Sequence, residues 1–201
     1  MRKYPILSIA SALLMLAGVV VVGISVVQKA EMKASAGNYQ LPALAFHQPA
    51  PTANSAQIKT LPKKGDFLGT ISIPALKIIL PIYEGTDESQ LKRGVGHFTQ
   101  SALPGGVDNS VLAGHRDSVF SQLGKLKLGD LLTVDSAEGK FTYQVSKFRI
   151  VLANDRTVIV PTKTAVLTLS TCYPFNFFGS APKRFIVSAD LIDPGVPPTT
   201  V

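Results

Sequence analysis

Hydrophobic and polar positions divide the chain into one long apolar run, a polar spacer and a series of short alternating segments. Residues 5–27 carry no charged side chain. As a helix this run would span about 35 Å, at roughly 1.5 Å per residue, which exceeds a bilayer hydrocarbon core of about 30 Å. The pattern therefore predicts a transmembrane helix at about residues 5–27.

Two kinds of processing are compatible with this run. The small residues Ala34, Ser35 and Ala36 resemble a signal-peptide cleavage site, but the apolar core of a signal peptide is usually about 7 to 15 residues long. The run therefore favours an uncleaved signal anchor over residues 1–36. Arg2 and Lys3 precede it, and the positive-inside rule then places the start in the cytoplasm. We expect a single-pass protein of the cell membrane whose remaining chain is extracytoplasmic.

The segment after the anchor is predicted to be an extended linker over residues 37–65. Pro42, Pro49, Pro51 and Pro62 are spaced among Ala, Asn, Gln and Ser. The segment has neither the helical nor the strand periodicity of apolar residues. This composition is typical of a solvated, partly extended spacer.

From residue 66 the pattern changes to short segments rich in β-branched residues. Strands are predicted at residues 67–74, 77–83, 109–114, 131–135, 140–151, 166–171 and 184–191. Two short helices are predicted, one over residues 86–93 that ends at Gly94, and one from Asp117 or Ser118 to Leu123. Seven or eight short strands without a long helix favour an antiparallel all-β sandwich or barrel. This domain covers residues 66–193, and residues 194–201 form a C-terminal tail.

The charge of the chain does not indicate a nucleic-acid-binding protein. Its 201 residues include 20 Lys and Arg against 13 Asp and Glu, for a formal net charge of +7. The basic residues form only short runs such as Lys63-Lys64, without a basic helix or an aromatic-interleaved patch. We therefore expect no nucleic-acid partner.

Cys172 is the only cysteine of the chain. It follows the strand predicted at residues 166–171, and Pro174 ends that strand because proline cannot donate to a sheet ladder. The next predicted strand begins with Arg184, so thiol and guanidinium can lie side by side, and a nearby positive charge favours the nucleophilic thiolate. The alternative is a buried, inert thiol, since free cysteine often behaves as a small hydrophobe. Of the three histidines, His115 shares the placement of Cys172 at the end of a strand.

Other chemistries for these residues have weaker support. A zinc site needs closely spaced Cys and His ligands, whereas those of this chain are scattered. A serine hydrolase of the common type needs a Gly-x-Ser-x-Gly turn, which the sequence lacks. An intrachain disulfide needs a second cysteine. An unpaired cysteine in an exported protein is unusual unless it acts as a free thiol.

Two sequence blocks resemble the sortase family. The run Thr168-Leu169-Ser170-Thr171-Cys172 is followed by Arg184, and Gly114-His115-Arg116-Asp117 lies upstream. Together with the predicted anchor, these blocks are similar to those of sortases. The neighbouring Leu112-Ala113 and the segments 171–175 and 179–185 are most similar to class D. The resemblance extends from about residue 67 to residue 192.

The resemblance implies a closed eight-stranded sortase-type β-barrel with short helices and a cysteine transpeptidase activity. Sortases cleave a Leu-Pro-x-Thr-Gly-like or Ala-like sorting signal of surface proteins, hold the product as a thioester and transfer it to an amine of the cell envelope. That amine belongs to a peptidoglycan precursor or a pilin lysine. The family pattern assigns the nucleophile to Cys172, the general acid and base to His115, and the stabilisation of the substrate carbonyl to Arg184. The alternative function is a catalytically silent anchored barrel that serves as a binding or assembly module.

Further residues are predicted near the site. Ala113, Thr171, Tyr173 and His97 are candidates for substrate binding, although a surface or structurally satisfied histidine is the favoured interpretation of His97. Asp117 is expected to cap a helix or to orient His115. No cofactor or metal is expected, with calcium activation left as an open alternative. The acids considered for calcium are Glu84, Asp87, Glu88 and Asp155.

Overall fold

Eight strands close into a barrel in the computed structural model, which describes residues 61–176 and 179–195. The strands are β1 (Phe67–Ile73), β2 (Ile78–Glu84), β3 (Val95–His97), β4 (Asn109–Ala113), β5 (Leu131–Ser136), β6 (Gly139–Leu152), β7 (Val166–Tyr173) and β8 (Lys183–Asp193). Around the barrel they follow the order β1-β2-β3-β4-β7-β8-β6-β5. The prediction of an all-β closed barrel of eight strands is confirmed.

The predicted anchor lies outside the described residues, as do the tail from residue 196 and most of the linker. Within the part of the chain that the structure describes, no helix combines the length and the apolar character needed to cross a bilayer.

Alternation of buried and exposed positions explains why these segments form a barrel. In β1 the residues Ile71 and Ile73 are fully buried, and in β5 Leu132 and Val134 are fully buried with partly or fully exposed neighbours. Side chains of a strand point alternately to its two faces, so one face of each strand lines a shared apolar interior. Burial of this apolar surface is the main favourable contribution to folding.

The barrel is not wholly antiparallel, which corrects the sequence-based prediction. β2 pairs with β3 in parallel, and β4 pairs with β7 in parallel, from Asn109 opposite Val166 to Ala113 opposite Ser170. Parallel neighbours require a crossover connection. The crossover between β4 and β7 contains the hairpin of β5 and β6, so strands distant in sequence become neighbours.

Two local predictions differ from the structure. β3 was not predicted, because three residues that include a glycine give almost no alternating pattern. The helix expected from Asp117 or Ser118 to Leu123 is wrong: the amide of Phe120 bonds to the carbonyl of His115, and a 3-10 helix forms only at Leu123–Lys125. Val119, Phe120 and Leu123 are buried, and packing these side chains into the core takes precedence over a regular helical backbone. Asp117 therefore caps no helix. The first helix is confirmed as a single turn, α1 (Glu88–Leu91).

A buried polar pair joins β2 to β3 in the interior. His97 Nδ1 lies 2.8 Å from Glu84 Oε2, and both side chains are 2% exposed. The other ring nitrogen, Nε2, lies 2.9 Å from the Ala102 carbonyl oxygen and 3.1 Å from Ser101 Oγ. Ser101 donates its hydroxyl proton to the Phe98 carbonyl, so both neighbours of Nε2 are acceptors and Nε2 carries a proton. His97 is therefore fully hydrogen-bonded within the fold.

A second set of bonds fastens the connection between β6 and β7 to the start of β4. Asp108 Oδ1 accepts from the amides of Thr162 (2.6 Å) and Asn109 (2.7 Å). Asn109 Nδ2 donates to the carbonyls of Val158 (3.0 Å) and Val160 (3.3 Å). The backbone hydrogen bonds from Thr162 and Asn109 lower the pKa of Asp108 below its ordinary value.

We expect His97→Ala to destabilise the fold strongly, because it leaves the Glu84 carboxylate buried without its partner. Breaking a buried pair by removing one partner costs about 3 to 5 kcal/mol. The exposed Lys92→Ala, which removes an ion pair to Glu88, is the control and should cost about 0.5 kcal/mol or less. Urea denaturation of both variants measures the difference. A cost below about 1 kcal/mol for His97→Ala would contradict the structural role.

The lowered pKa of Asp108 predicts a pH-dependent contribution to stability. A carboxylate with a lowered folded pKa stabilises the protein above its unfolded pKa, near 3.8, and loses this contribution as the pH falls through the folded pKa. The stability difference between wild type and Asp108→Asn should therefore be larger at about pH 6 than at about pH 3. Denaturation midpoints at the two pH values measure it. An equal difference at both would show that the Asp108 charge does not hold the connection.

Candidate active site

The parallel pairing of β4 with β7 brings His115 and Cys172 to the same end of the barrel. Beyond the last register pair, the amide of Gly114 donates to the Ser170 carbonyl at 3.1 Å. The Thr171 hydroxyl donates to the Gly114 carbonyl at 2.8 Å. His115 therefore leaves β4 at the level where Cys172 lies in β7. The imidazole and the thiol share one rim of the barrel.

Arg184 lies directly across from Cys172 on the neighbouring antiparallel strand. Residues in register on adjacent strands share a face of the sheet, so the predicted side-by-side placement is confirmed. Cys172 is partly exposed. Arg184 Nη1 donates to the carbonyls of Ala181 (3.1 Å) and Lys183 (2.9 Å), which anchors the guanidinium beside the start of β8.

The carboxylate next to His115 comes from α1. His115 Nε2 lies 3.5 Å from Glu88 Oε2, with the His115 side chain 34% exposed. The other oxygen of Glu88 lies 3.5 Å from Lys92 Nζ. Among the described residues, Glu88 is the only acid within ion-pair distance of His115, and Asp117 is not. Sequence reasoning missed this contact because α1 and His115 are far apart in the chain.

Among the predicted substrate-binding residues, Ala113 shares the face of Cys172. It is in register with Ser170, and alternate residues of β7 point to one face. Thr171 points to the opposite face, is buried, and uses its hydroxyl to bond Gly114. Tyr173 also points away from Cys172.

The ring of Tyr173 belongs to an aromatic cluster at the mouth of the barrel. Its centroid lies 5.9 Å from that of Phe175 and 6.4 Å from that of Phe185. These three rings line a cavity of about 450 Å³ together with Gln122 and Lys125. The aromatic residues thus form the inner wall of the mouth beside the strand that carries Cys172.

His97 is not brought together with Cys172. It pairs with Leu112, which pairs with Leu169, three residues before Cys172 and thus about 10 Å away along the strand. Its side chain faces the interior rather than the face of Cys172. The larger cavity of the barrel, about 580 Å³, borders His97 and the Ala102–Gly106 loop. Cavity size therefore does not mark the cysteine site.

The four acids considered for calcium have separate partners. Glu84 bonds to His97, Glu88 contacts Lys92 and His115, and Asp87 forms an ion pair with Lys64. The fourth, Asp155, lies 3.5 Å from Arg149 and accepts a bond from the Thr157 hydroxyl. Within residues 61–176 and 179–195, no group of three or more His, Cys, Asp or Glu side chains is arranged to hold a metal ion.

Comparison with known proteins agrees with this geometry. The sortase domain model matches residues 71–192. The chain is 42% identical over 135 residues to Sortase D of Bacillus subtilis (strain 168), covering 67% of each chain. The solved structure of sortase C1 from Streptococcus agalactiae is 39% identical, with a TM-score of 0.58, over 62% of this chain and 67% of that chain.

A third similar protein is the Clostridium perfringens sortase C, solved with the C-terminal cell wall sorting motif. It is 33% identical, with a TM-score of 0.59, over 65% of this chain and 73% of that chain. The family match covers more than half of this chain, and the solved structures share its barrel. The chain therefore belongs to the sortase family of cysteine transpeptidases and is most like class D.

Proposed function

We propose that this protein is a membrane-anchored sortase that cleaves a Leu-Pro-x-Thr-Gly-like or Ala-like sorting signal and transfers the surface protein to an amine of the cell envelope. One observation carries the proposal: Cys172 and Arg184 are cross-strand partners on one face, at the end of the barrel where His115 leaves β4. The sorting motif in the Clostridium perfringens sortase C structure supports this substrate class.

The first half-reaction forms a thioester on Cys172. The thiolate attacks the carbonyl carbon of the substrate threonine, and a C–S bond forms as the carbonyl oxygen becomes an oxyanion. The intermediate collapses, the C–N bond to the following residue breaks, and His115 gives its proton to the departing amine. The amine product leaves, and the acyl group remains on sulfur.

The second half-reaction reverses these roles with a new amine. His115 takes a proton from the acceptor amine as its nitrogen attacks the thioester carbonyl. The C–S bond then breaks, and Cys172 leaves as a thiolate. The acceptor is an amine of a peptidoglycan precursor or a pilin lysine, and water in its place gives hydrolysis.

Arg184 stabilises the oxyanion of both intermediates. A guanidinium has five N–H donors and keeps its charge throughout the reaction. Its Nη1 group bonds to the Ala181 and Lys183 carbonyls, which holds the side chain in place, and the donors on Nε and Nη2 are the ones assigned to the oxyanion. Donors that are already oriented need little reorganisation when the oxyanion forms, and this lowers the activation free energy.

The membrane anchor is part of the proposal. The uncharged run at residues 5–27, preceded by Arg2 and Lys3, supports an N-terminal helix whose start is cytoplasmic. The proline-containing residues 37–65 then act as the spacer that lets an extracytoplasmic barrel reach both the sorting signal and the acceptor.

Cys172→Ala should abolish cleavage of a Leu-Pro-x-Thr-Gly peptide, because no other cysteine is present to form the thioester. Ser170→Ala, on the same face of β7, is the matched control and should retain activity. Mass spectrometry of peptide products measures turnover, and thermal melting checks the fold of each variant. In wild type, bound peptide should also slow alkylation of Cys172. Turnover comparable to wild type in Cys172→Ala would refute the assignment, and a thiol that does not react would support a silent barrel.

Arg184→Lys should lower kcat by about 100 to 1000-fold, the usual effect of losing an oxyanion donor. A lysine keeps the charge but cannot reproduce the planar, forked donor set. Arg149→Lys, on β6, serves as the control. Turnover and melting temperature are measured on both, with Arg184→Ala as a third variant. A near-wild-type rate for Arg184→Lys would remove Arg184 from the catalytic set.

A further inference from the structure

Arg116 connects the loop that carries His115 to the loop that follows Cys172. Its Nη2 donates to the Gly179 carbonyl at 2.8 Å, and its Nη1 donates to the Pro174 carbonyl at 3.3 Å. Both carbonyls lie in the connection between β7 and β8. Pro174 is its first residue, and Gly179 lies further along it. One guanidinium thus bonds to two points of the same connection.

The two loops are bonded to each other on both sides of His115. On the first side, Gly114 bonds to Ser170 and Thr171. On the second, Arg116 bonds to the segment just beyond Cys172. The residues immediately before and after His115 are therefore each bonded to residues that flank Cys172. This arrangement constrains the separation of the imidazole and the thiol from both directions.

We propose that Arg116 is a positioning residue that sets the separation of His115 and Cys172 by holding the β7–β8 connection against the loop after β4. The proposal rests on the roles assigned above to His115 and Cys172. Arg116 acts through the backbone carbonyls of Pro174 and Gly179. The β4–β7 ladder ends at Ala113 and Ser170. Beyond it, the bonds of Gly114 reach Ser170 and Thr171, and those of Arg116 reach the connection after β7.

The chemistry makes this separation important. His115 must exchange a proton with the amine on the carbon that Cys172 attacks, and such a transfer needs donor and acceptor atoms within about 2.6 to 3.2 Å. A displacement of about 1 Å between the two residues can therefore cost roughly 100-fold in rate. A lysine at position 116 would supply a charge but only one donor centre. It could not bond the Pro174 and Gly179 carbonyls with fixed planar geometry. Arg116→Lys is therefore the informative variant, because it keeps the positive charge and removes the forked hydrogen-bond geometry.

The experiment compares Arg116→Lys and Arg116→Ala with Arg93→Lys in the full chain. Arg93 lies with its guanidinium 3.9 Å from the Tyr83 ring centroid, and it bonds to neither loop through the carbonyls that Arg116 uses. We expect Arg116→Lys to lower kcat for a sorting-signal peptide by about 10 to 100-fold, with KM changed less than about threefold and the melting temperature close to that of the control. Guanidinium ion at millimolar concentration should partly restore Arg116→Ala and leave the Arg93 variant unaffected.

Two readouts are independent of the peptide substrate. Amide hydrogen exchange should become faster in peptides that contain Phe175 and Gly179, while peptides from β1 are unchanged. Iodoacetamide should alkylate Cys172 about tenfold more slowly in Arg116→Lys, because a displaced His115 no longer supports the thiolate. If wild type cleaves no sorting peptide, the proposed function fails, and these two measurements still decide the positioning role.

Three results would overturn the positioning role. The first is a kcat for Arg116→Lys within about twofold of the control. The second is unchanged exchange and alkylation in both Arg116 variants. The third is a loss of activity that follows the melting temperature, with lysine restoring both, since that pattern belongs to a charge that only stabilises the fold.

Discussion

The parallel pairing of β4 with β7 is the constraint on which the site depends. β7 lies between β4 and β8, so its two hydrogen-bonded ladders place His115 on one side of Cys172 and Arg184 on the other. A shift of one residue in either ladder would turn the side chains of β7 to the opposite face. Cys172 would then point into the barrel and Thr171 out of it. The apolar residues Leu167 and Leu169, both fully buried, oppose such a shift because they would be exposed.

The two faces of the sheet have different roles: the inner face stabilises the fold, and the outer face carries the site. The inner face carries the apolar core and the hydrogen-bonded pair of His97 and Glu84. The outer face near the rim carries Cys172 and Arg184, and Ala113 shares it. Since adjacent residues of a strand point to opposite faces, the barrel can bury its core completely while a partly exposed thiol remains accessible to substrate.

The connections between strands extend this arrangement beyond the ladders. β6 and β7 both pair antiparallel with β8, and Leu152 and Tyr173 both lie opposite Lys183. The chain must therefore return along the barrel between the end of β6 and the start of β7, and Asp108 and Asn109 hold that returning segment. At the other rim, Arg116 holds the connection after β7. Both connections are fastened by side-chain bonds to backbone, which suits segments without a ladder of their own.

The amino-acid sequence by itself determined the elements whose signals are local. Alternation of apolar residues marked seven of the strands, Pro174 marked the end of β7, and the blocks around His115 and Cys172 indicated the family. These features depend on neighbours within a few residues, where side-chain direction and backbone restriction act directly.

Only the tertiary structure decided the features that depend on distant residues. It paired β4 with β7 in parallel, formed the three-residue strand β3, and replaced the helix expected at Asp117 with turns. It also brought Glu88 next to His115 and enclosed His97 with Glu84. Each outcome arises from packing and hydrogen bonding between segments separated in the chain, and the energy of those contacts exceeds the weak local preferences that a sequence pattern records.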